Sequence, residues 1–262
     1  MFEIKEGMDK FGRQYKYVSG DDESVEPRKV NLIFPVYNDE YYLEYCLKSF
    51  HDQVDGIYVV DNMSTDGTRR ILKDYNVTVR RSSEKNFAKL RQINLNMVPK
   101  NSWIFMTDSD DVLYDLPKRY VGRYVSFLHN NNIFCSDIRF FEICYNYGTI
   151  MAMEYGDGPG ILWTARRLFY YTGKEWYDGD ERGFHENIRN ATKTEPNNEH
   201  TDWWNGTVAK THEIMFFHYG KCAGIEKWRR KEGRVLSGEM GAMGYVPTMP
   251  FGGRHPSVMK LG

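Results

Sequence analysis

Apolar residues in the first half of the chain follow two alternating periods. Lys29 to Val36 is a mostly apolar run, the pattern of a strand buried on both faces. Residues 40–53 then carry Leu43, Leu47 and Phe50 at helical spacing, continued by Val54. Gly56 to Asp61 is a second apolar run, and Ser64-Thr65-Asp66-Gly67 supplies capping chemistry for a short helix near 67–74. Asn76 to Arg80 alternates as a third strand, residues 85–97 read as a helix, and Ser102 to Thr107 reads as a fourth strand. Short strands alternating with helices predict a mostly parallel, three-layer α/β sheet.

Past residue 115 the pattern loosens. Residues 117–130 read as a helix, residues 133–155 as one or two strands, and Gly156-Asp157-Gly158-Pro159-Gly160 as a turn. Residues 161–172 and 181–192 read as helical. Residues 1–28, polar and broken by Gly and Asp, read as an N-terminal arm or hairpin. Ser237 to Gly262 is rich in Gly, Met and Pro and reads as a tail or lid. The chain therefore divides into 1–28, a ligand-binding half over 29–115, a second half over 116–236, and the tail at 237–262.

The fourth strand ends in Thr107-Asp108-Ser109-Asp110-Asp111, three carboxylates within four residues. Like charges this close repel unless a cation or a donor stands among them. Oxygen ligands suit Mg2+ or Mn2+, ions that commonly bridge to phosphates. The other reading of these residues alone is a solvated Asp-rich turn that caps a helix. In an open α/β sheet, ligands bind outside the carboxyl ends of the strands, and two more strand ends carry suggestive residues. Phe34-Pro35-Val36-Tyr37-Asn38-Asp39-Glu40 offers a fixed backbone and a flat ring with a hydroxyl. Val59-Val60-Asp61-Asn62-Met63-Ser64 places an acid where it can accept from a ribose hydroxyl or a base N–H.

Composition narrows the class only slightly. In a chain of 262 residues, 41% hydrophobic and 27% charged residues are ordinary for a globular protein with one sizeable core. A net charge of -1 argues against a wholly electrostatic polyanion binder. No run approaches the ~18 apolar residues of a spanning helix, so no transmembrane segment is expected. The segment MFEIKEGMDKFGRQYKY lacks the apolar stretch of a signal peptide. Cys46, Cys135, Cys144 and Cys222 fit neither a zinc spacing nor a disulfide framework. Reduced thiols and a cytoplasmic location are the expectation.

Taken together, FPVYNDEYYLEYCLKSF, VVDNMSTDGTRRIL and MTDSDD resemble the nucleotide-binding half of family 2 glycosyltransferases with the GT-A fold, over about residues 29–115. The resemblance implies a Rossmann-like, mostly parallel central sheet flanked by helices, with a less regular acceptor-binding half behind it. It implies an enzyme, hexosyltransferase-type, that uses a nucleotide diphosphate sugar (a UDP- or GDP-sugar) and Mn2+ or Mg2+. By carry-over, Pro35, Val36, Tyr37 and Asp39 line the base pocket, and Asp61 meets base or ribose. Asp108 and Ser109 bind the nucleotide sugar, Asp110 holds the metal, and Arg91 is a diphosphate or sugar contact. In the second half, Asp180 and Glu181 are the first choices for the general base that deprotonates the acceptor, with Glu186 and the Glu199-His200 pair as rivals. His218, in Phe217-His218-Tyr219-Gly220, either completes the metal shell or binds the diphosphate; a partly buried structural histidine is the alternative.

Rival functions make different demands. A nucleotidyltransferase would usually carry a Gly-rich loop after the first strand, where this chain has Pro35-Val36-Tyr37-Asn38, and a dehydrogenase would show G-x-G-x-x-G there. The acceptor is a glycan or another small hydroxyl compound. A modified DNA base is the alternative, as is a noncatalytic nucleotide or nucleic-acid binding module. The run Lys227-Trp228-Arg229-Arg230-Lys231 permits either. Trp163, Trp176, Trp203 and Trp204 fall where an acceptor pocket would be built, and core packing is their ordinary role.

Overall fold

A computed structural model of the protein describes residues 1–8, 14–144, 147, 149–151, 161–178, 187–189, 208–221, 248–250 and 253–259. Its centre is a parallel array of β3 (Val30–Val36), β4 (Gly56–Asp61), β5 (Thr78–Arg81) and β6 (Ser102–Met106), with β1 (Glu3–Met8) and β2 (Gln14–Ser19) preceding them in sequence. Helices α1 (Leu43–Phe50), α2 (Thr68–Asp74) and α3 (Phe87–Leu95) connect the parallel strands. Beyond them come β7 (Asp111–Leu113), α4 (Tyr120–Asn130), β8 (Cys135–Cys144), β9 (Thr149–Met151) and β10 (Ile161–Tyr171). The remaining strands are β11 (Trp176–Asp178), β12 (Asn187–Arg189), β13 (Ala209–Lys221) and β14 (Thr248–Pro250).

The two-sided burial expected of the central strands is visible residue by residue. On β3, Val30, Leu32, Phe34 and Val36 enter one core cluster, which α1, α2 and α4 cover. Ile33, between them, enters the other, which α3 and β11 cover. Strand β6 repeats this, with Trp103 and Phe105 on the first side and Ile104 and Met106 on the second. This period-2 division is what makes a continuous apolar run a strand with helices on both faces.

The chain runs from β3 to β4 to β5 on one side of β3, then crosses back so that β6 pairs with β3 on the other side. Such a reversal opens a crevice at the carboxyl ends of the strands. From β6 the sheet continues as β10, β8, β13, β2 and β1, where parallel and antiparallel pairs mix. The whole is a mixed α/β sheet, parallel among β3, β4, β5 and β6. The N-terminal hairpin of β1 and β2 extends this sheet through the pairing of β2 with β13. It is fixed to α4 as well. Arg123 donates to both oxygens of Asp21 at 2.8 and 2.5 Å, and the Tyr120 hydroxyl donates to Gly20 O.

Residues 161–171 form a strand where helical spacing was expected. Their apolar run supports either period, and tertiary pairing decides: β10 lies between β6 and β8, with Leu168 in one core cluster and its neighbour Phe169 in the other. In the second stretch read as helical, residues 187–189 are strand β12, and the rest lies outside the described residues. Strands β7 and β13 had no counterpart in the pattern. Of the tail, β14 pairs with β9, and Ser257 donates to Asp115 from both N and Oγ. The turn at 156–160 lies outside the described residues. Cys46 and Cys135 are buried, and among the described residues no helix is long and apolar enough to cross a membrane.

Two outcomes test this packing. Phe50 is fully buried with its ring edge-on to Phe105 at 5.1 Å between centroids; Phe50→Ala is expected to cost about 3–5 kcal/mol in urea unfolding. The Arg123 guanidinium hydrogen-bonded to Asp21 holds that carboxyl below its ordinary value. A depressed folded-state pKa contributes stability above the unfolded value of about 3.9, and that contribution is lost as pH falls through the folded value. The stability gap between the wild type and Asp21→Asn, read by urea unfolding from pH 7 to pH 3, should therefore narrow as the solution is acidified. A gap that does not change with pH would exclude the pair as its cause.

Candidate metal and nucleotide site

The segment after β6 is tied down by its own acids. Asp111 Oδ2 accepts from Thr107 Oγ1 and from the Asp108 backbone N–H, both at 2.7 Å, which folds residues 107–111 into a compact loop. Asp111 then opens β7, whose antiparallel register with β13 sets it directly opposite His218. Residues so paired bring their side chains together, and His218 Nδ1 lies 2.7 Å from Asp111 Oδ1 and 3.5 Å from Asp110 Oδ1. One turn of sheet geometry thus joins residues 107 positions apart.

Asp108, Asp111 and His218 each offer a ligand atom, and these atoms lie within 4.8 Å of one another. Asp110, the expected metal ligand, is almost fully buried and borders this group rather than forming part of it. The donor set fits a divalent ion that accepts oxygen and imidazole. Gly220 adds a second sign of fit. A Cβ built there would stand 2.6 Å from His218 Nε2 and 2.9 Å from Asp110 Oδ2, so the missing side chain leaves a cradle between ring and carboxylate.

Two arginines share Asp108. Arg91 is fully buried on α3, donates to the Thr107 carbonyl and to Asp108 Oδ1, and lies 4.9 Å over the Phe87 ring. Arg167 on β10 donates to Asp108 Oδ2 at 3.2 Å. Burial works against the charge on Asp108, but Arg91 and Arg167, with His218 beyond them, outweigh it and hold the carboxyl well below the usual carboxylate range. Cys46 responds oppositely: burial, followed by the nearby Asp111 and Asp39, pushes its thiol up.

The other two strand ends are stapled together. Asn38, at φ 46°, donates its N–H to Ser64 Oγ and accepts from Thr65 N. The Asp39 N–H donates to Thr68 Oγ1, and Glu40 accepts from Gly67 N. Asp39 is fully buried and accepts from Ser109 Oγ at 2.6 Å, which links the first strand end to the acidic loop. Pro35 and Val36 lie inside β3, and Tyr37 stands half-buried at its mouth. Asp61 is buried, accepts from Ser64 N at 2.9 Å and lies 3.3 Å from Arg81 Nε.

The structure therefore brings Asp39, Ser109, Asp108, Asp110, His218 and Arg91 into one connected cluster, with Asp61 at the neighbouring strand end. Asp180, Glu181, Glu186, Glu199, His200, Trp203, Trp204 and Lys227 to Lys231 lie outside the described residues, as does the Trp163 side chain. Trp176 is exposed on β11. Sequence reasoning missed Asp111 as a candidate ligand, although it stood within the motif. It also missed Arg167, Arg81 and Gly220, whose places come from sheet pairing and leave no local signal.

Residues 32–142 match the family model described as Glycosyl transferase family 2. Among curated proteins none matches. A structure of S. aureus TarS is similar at 23% identity and a TM-score of 0.35, covering 50% of this chain and 23% of TarS. A 4-diphosphocytidyl-2C-methyl-D-erythritol synthase is similar at 15% identity and a TM-score of 0.36, covering 57% of this chain and 76% of that one. Glucosyl-3-phosphoglycerate synthase from Mycobacterium tuberculosis, in complex with Mn2+, UDP and glucosyl-3-phosphoglycerate, is similar at 16% identity and a TM-score of 0.32. That match covers 44% of each chain.

Gly220→Ala should displace the His218 ring or the Asp110 carboxylate. Outer-shell changes of this kind cost about 10–100-fold in metal affinity, and a loss in that range is expected when free Mn2+ is titrated by electron paramagnetic resonance. Unchanged affinity would place the ion away from this cradle.

Proposed function

We propose that the protein is a metal-dependent, inverting glycosyltransferase that moves a sugar from a nucleotide diphosphate sugar to an acceptor hydroxyl. One observation carries the reading: acids from the ends of β3 and β6 and a histidine from β13 come together at the carboxyl ends of the strands, where the sheet order reverses. The family 2 match over residues 32–142 supports the same chemistry.

In this reading the base lies beside Tyr37 and Asp61 at the ends of β3 and β4, and the diphosphate reaches the loop after β6. Asp108, Asp111 and His218 would hold Mn2+ or Mg2+, with Asp110 at the edge. A divalent cation there supplies neutralisation of the charge that builds on the leaving diphosphate. Arg91 keeps Asp108 ionised and oriented. A carboxylate of the second half, Asp180 or Glu181, takes the proton of the acceptor hydroxyl as that oxygen attacks the anomeric carbon from the face opposite the diphosphate. Direct displacement of this kind inverts the anomeric centre and forms no covalent sugar–enzyme bond. A UDP- or GDP-sugar is the donor proposed, and a glycan or other small hydroxyl compound the acceptor.

Thermal unfolding with UDP or GDP, with and without Mn2+, tests the reading. A ligand at about a hundredfold excess over its dissociation constant stabilises by about 2.7 kcal/mol. A Mn2+-dependent rise is expected in the wild type and should vanish in Asp111→Asn and His218→Gln, each compared with its own metal-free control. Equal rises with and without Mn2+ in all three proteins would remove the metal from the reading.

A further inference from the structure

Arg91, which the family resemblance offered as a diphosphate or sugar contact, is enclosed in the protein and engaged with the Thr107 carbonyl and Asp108. The fold supplies a second arginine. We infer that Arg167 is the residue that receives the diphosphate, and that in the metal-free protein its guanidinium stands in for the divalent ion. This rests on the reading above that the site takes a nucleotide diphosphate.

Placement is the first argument. Strand β10 runs antiparallel to β6 with Leu168 opposite Phe105, so Arg167 falls level with the end of β6, where Thr107 and Asp108 begin. Between Thr164 and Leu168 the register of β10 against β8 shifts. Irregularities of this kind re-aim side chains and occur often beside active sites. Arg167 lies inside that shift. It packs 5.8 Å from the Phe216 ring and keeps 15% of its side chain exposed at the crevice, whereas Arg91 keeps none.

The second argument is charge. Arg167 Nη2 is 3.2 Å from Asp108 Oδ2, and Nη1 is 4.0 Å from Asp111 Oδ2. Both partners belong to the group that can hold a metal. A guanidinium between these two carboxylates relieves their repulsion when no metal is bound. A divalent ion on the same carboxylates would face that guanidinium at short range, and two neighbouring cations repel. An anion that touches both removes the conflict. A guanidinium presents a planar fork of donors that matches phosphate oxygens two at a time, so a diphosphate held by metal and Arg167 together satisfies every charge in the group. Arg167 would thereby make retention of the diphosphate depend on the metal: it turns to the ligand only when another cation has taken its carboxylates.

Calorimetric titration of the full chain separates this from a purely structural ion pair. The probes are Mn2+ alone, then UDP and GDP with UMP and GMP, each in the presence of Mn2+. Charge-assisted hydrogen bonds of this type imply a loss of about tenfold or more in diphosphate affinity for Arg167→Gln, with monophosphate affinity changed less than twofold. Mn2+ alone should bind that variant as tightly as the wild type or more tightly, because a competing cation is gone. Arg167→Lys, which keeps the charge and loses the fork, should fall between the two, and it serves as the test if Arg167→Gln does not fold. Weaker binding of Mn2+ alone, or equal losses for mono- and diphosphates, would overturn the inference and leave Arg167 as a support for Asp108. A wild type that binds neither UDP nor GDP with Mn2+ would overturn the underlying reading, and this inference with it.

Discussion

Three carboxylates within four residues at a buried sheet edge repel one another, and the structure around residues 107–111 exists to contain that repulsion. Two unit charges about 4 Å apart interact by about 4 kcal/mol at an effective dielectric constant of about 20, enough to unravel a loop on its own. Each acid has a different remedy. Asp111 is bound by Thr107, the Asp108 N–H and His218. Asp108 is held between Arg91 and Arg167. Asp110 faces the His218 ring, and its carbonyl accepts from Tyr219 N, part of the strand that brings the histidine in. These remedies come from α3, β10 and β13, so the acidic loop fixes the relative position of three elements far apart in sequence.

That dependence explains which parts of the fold were legible. Where period and burial agree, as in Val30 to Val36 and Gly56 to Asp61, the apolar pattern marked the strands to within a residue, because a strand covered on both faces admits little else. The hydroxyl residues after β4 were legible as capping chemistry for a helix. Their service as staples, Ser64 to Asn38 and Thr68 to Asp39, was not, since it depends on how two loops meet. Residues 161–171 show the limit: Ile161, Leu162, Leu168, Phe169 and Tyr170 satisfy either period, and only the places open beside β6 and β8 select the strand.

The site divides along the same line. Its carboxylates sit in one stretch of chain and were readable as a group. Its basic side chains come from residues 91, 167 and 218, and two of the three are placed by strand register alone. His218 was noticed because Phe217-His218-Tyr219-Gly220 resembles a late family motif; its neighbours Phe217 and Tyr219 pack with Tyr42 and His255. Arg167 lies among Arg166, Leu168 and Phe169 with nothing local to distinguish it from Arg166.

A loop stabilised by positive side chains has a chemical consequence of its own. Arg91 is itself fully buried and cannot leave without exposing the buried Thr107 carbonyl and unpairing the part-buried Asp108 carboxylate, so the charge it supplies is fixed. His218 and Arg167 keep 23% and 15% of their side chains exposed, and their contacts with the acids can rearrange when a cation or an anion arrives. In the proposed reading the sheet thus separates a fixed charge beside Asp108 from groups that would meet the ligand. Catalysis of group transfer from a diphosphate needs positive charge that is already in place when negative charge develops on the leaving group. A rigid inner arginine with a responsive outer pair meets that need without holding a bare cluster of acids, or a bare cluster of cations, in the resting protein.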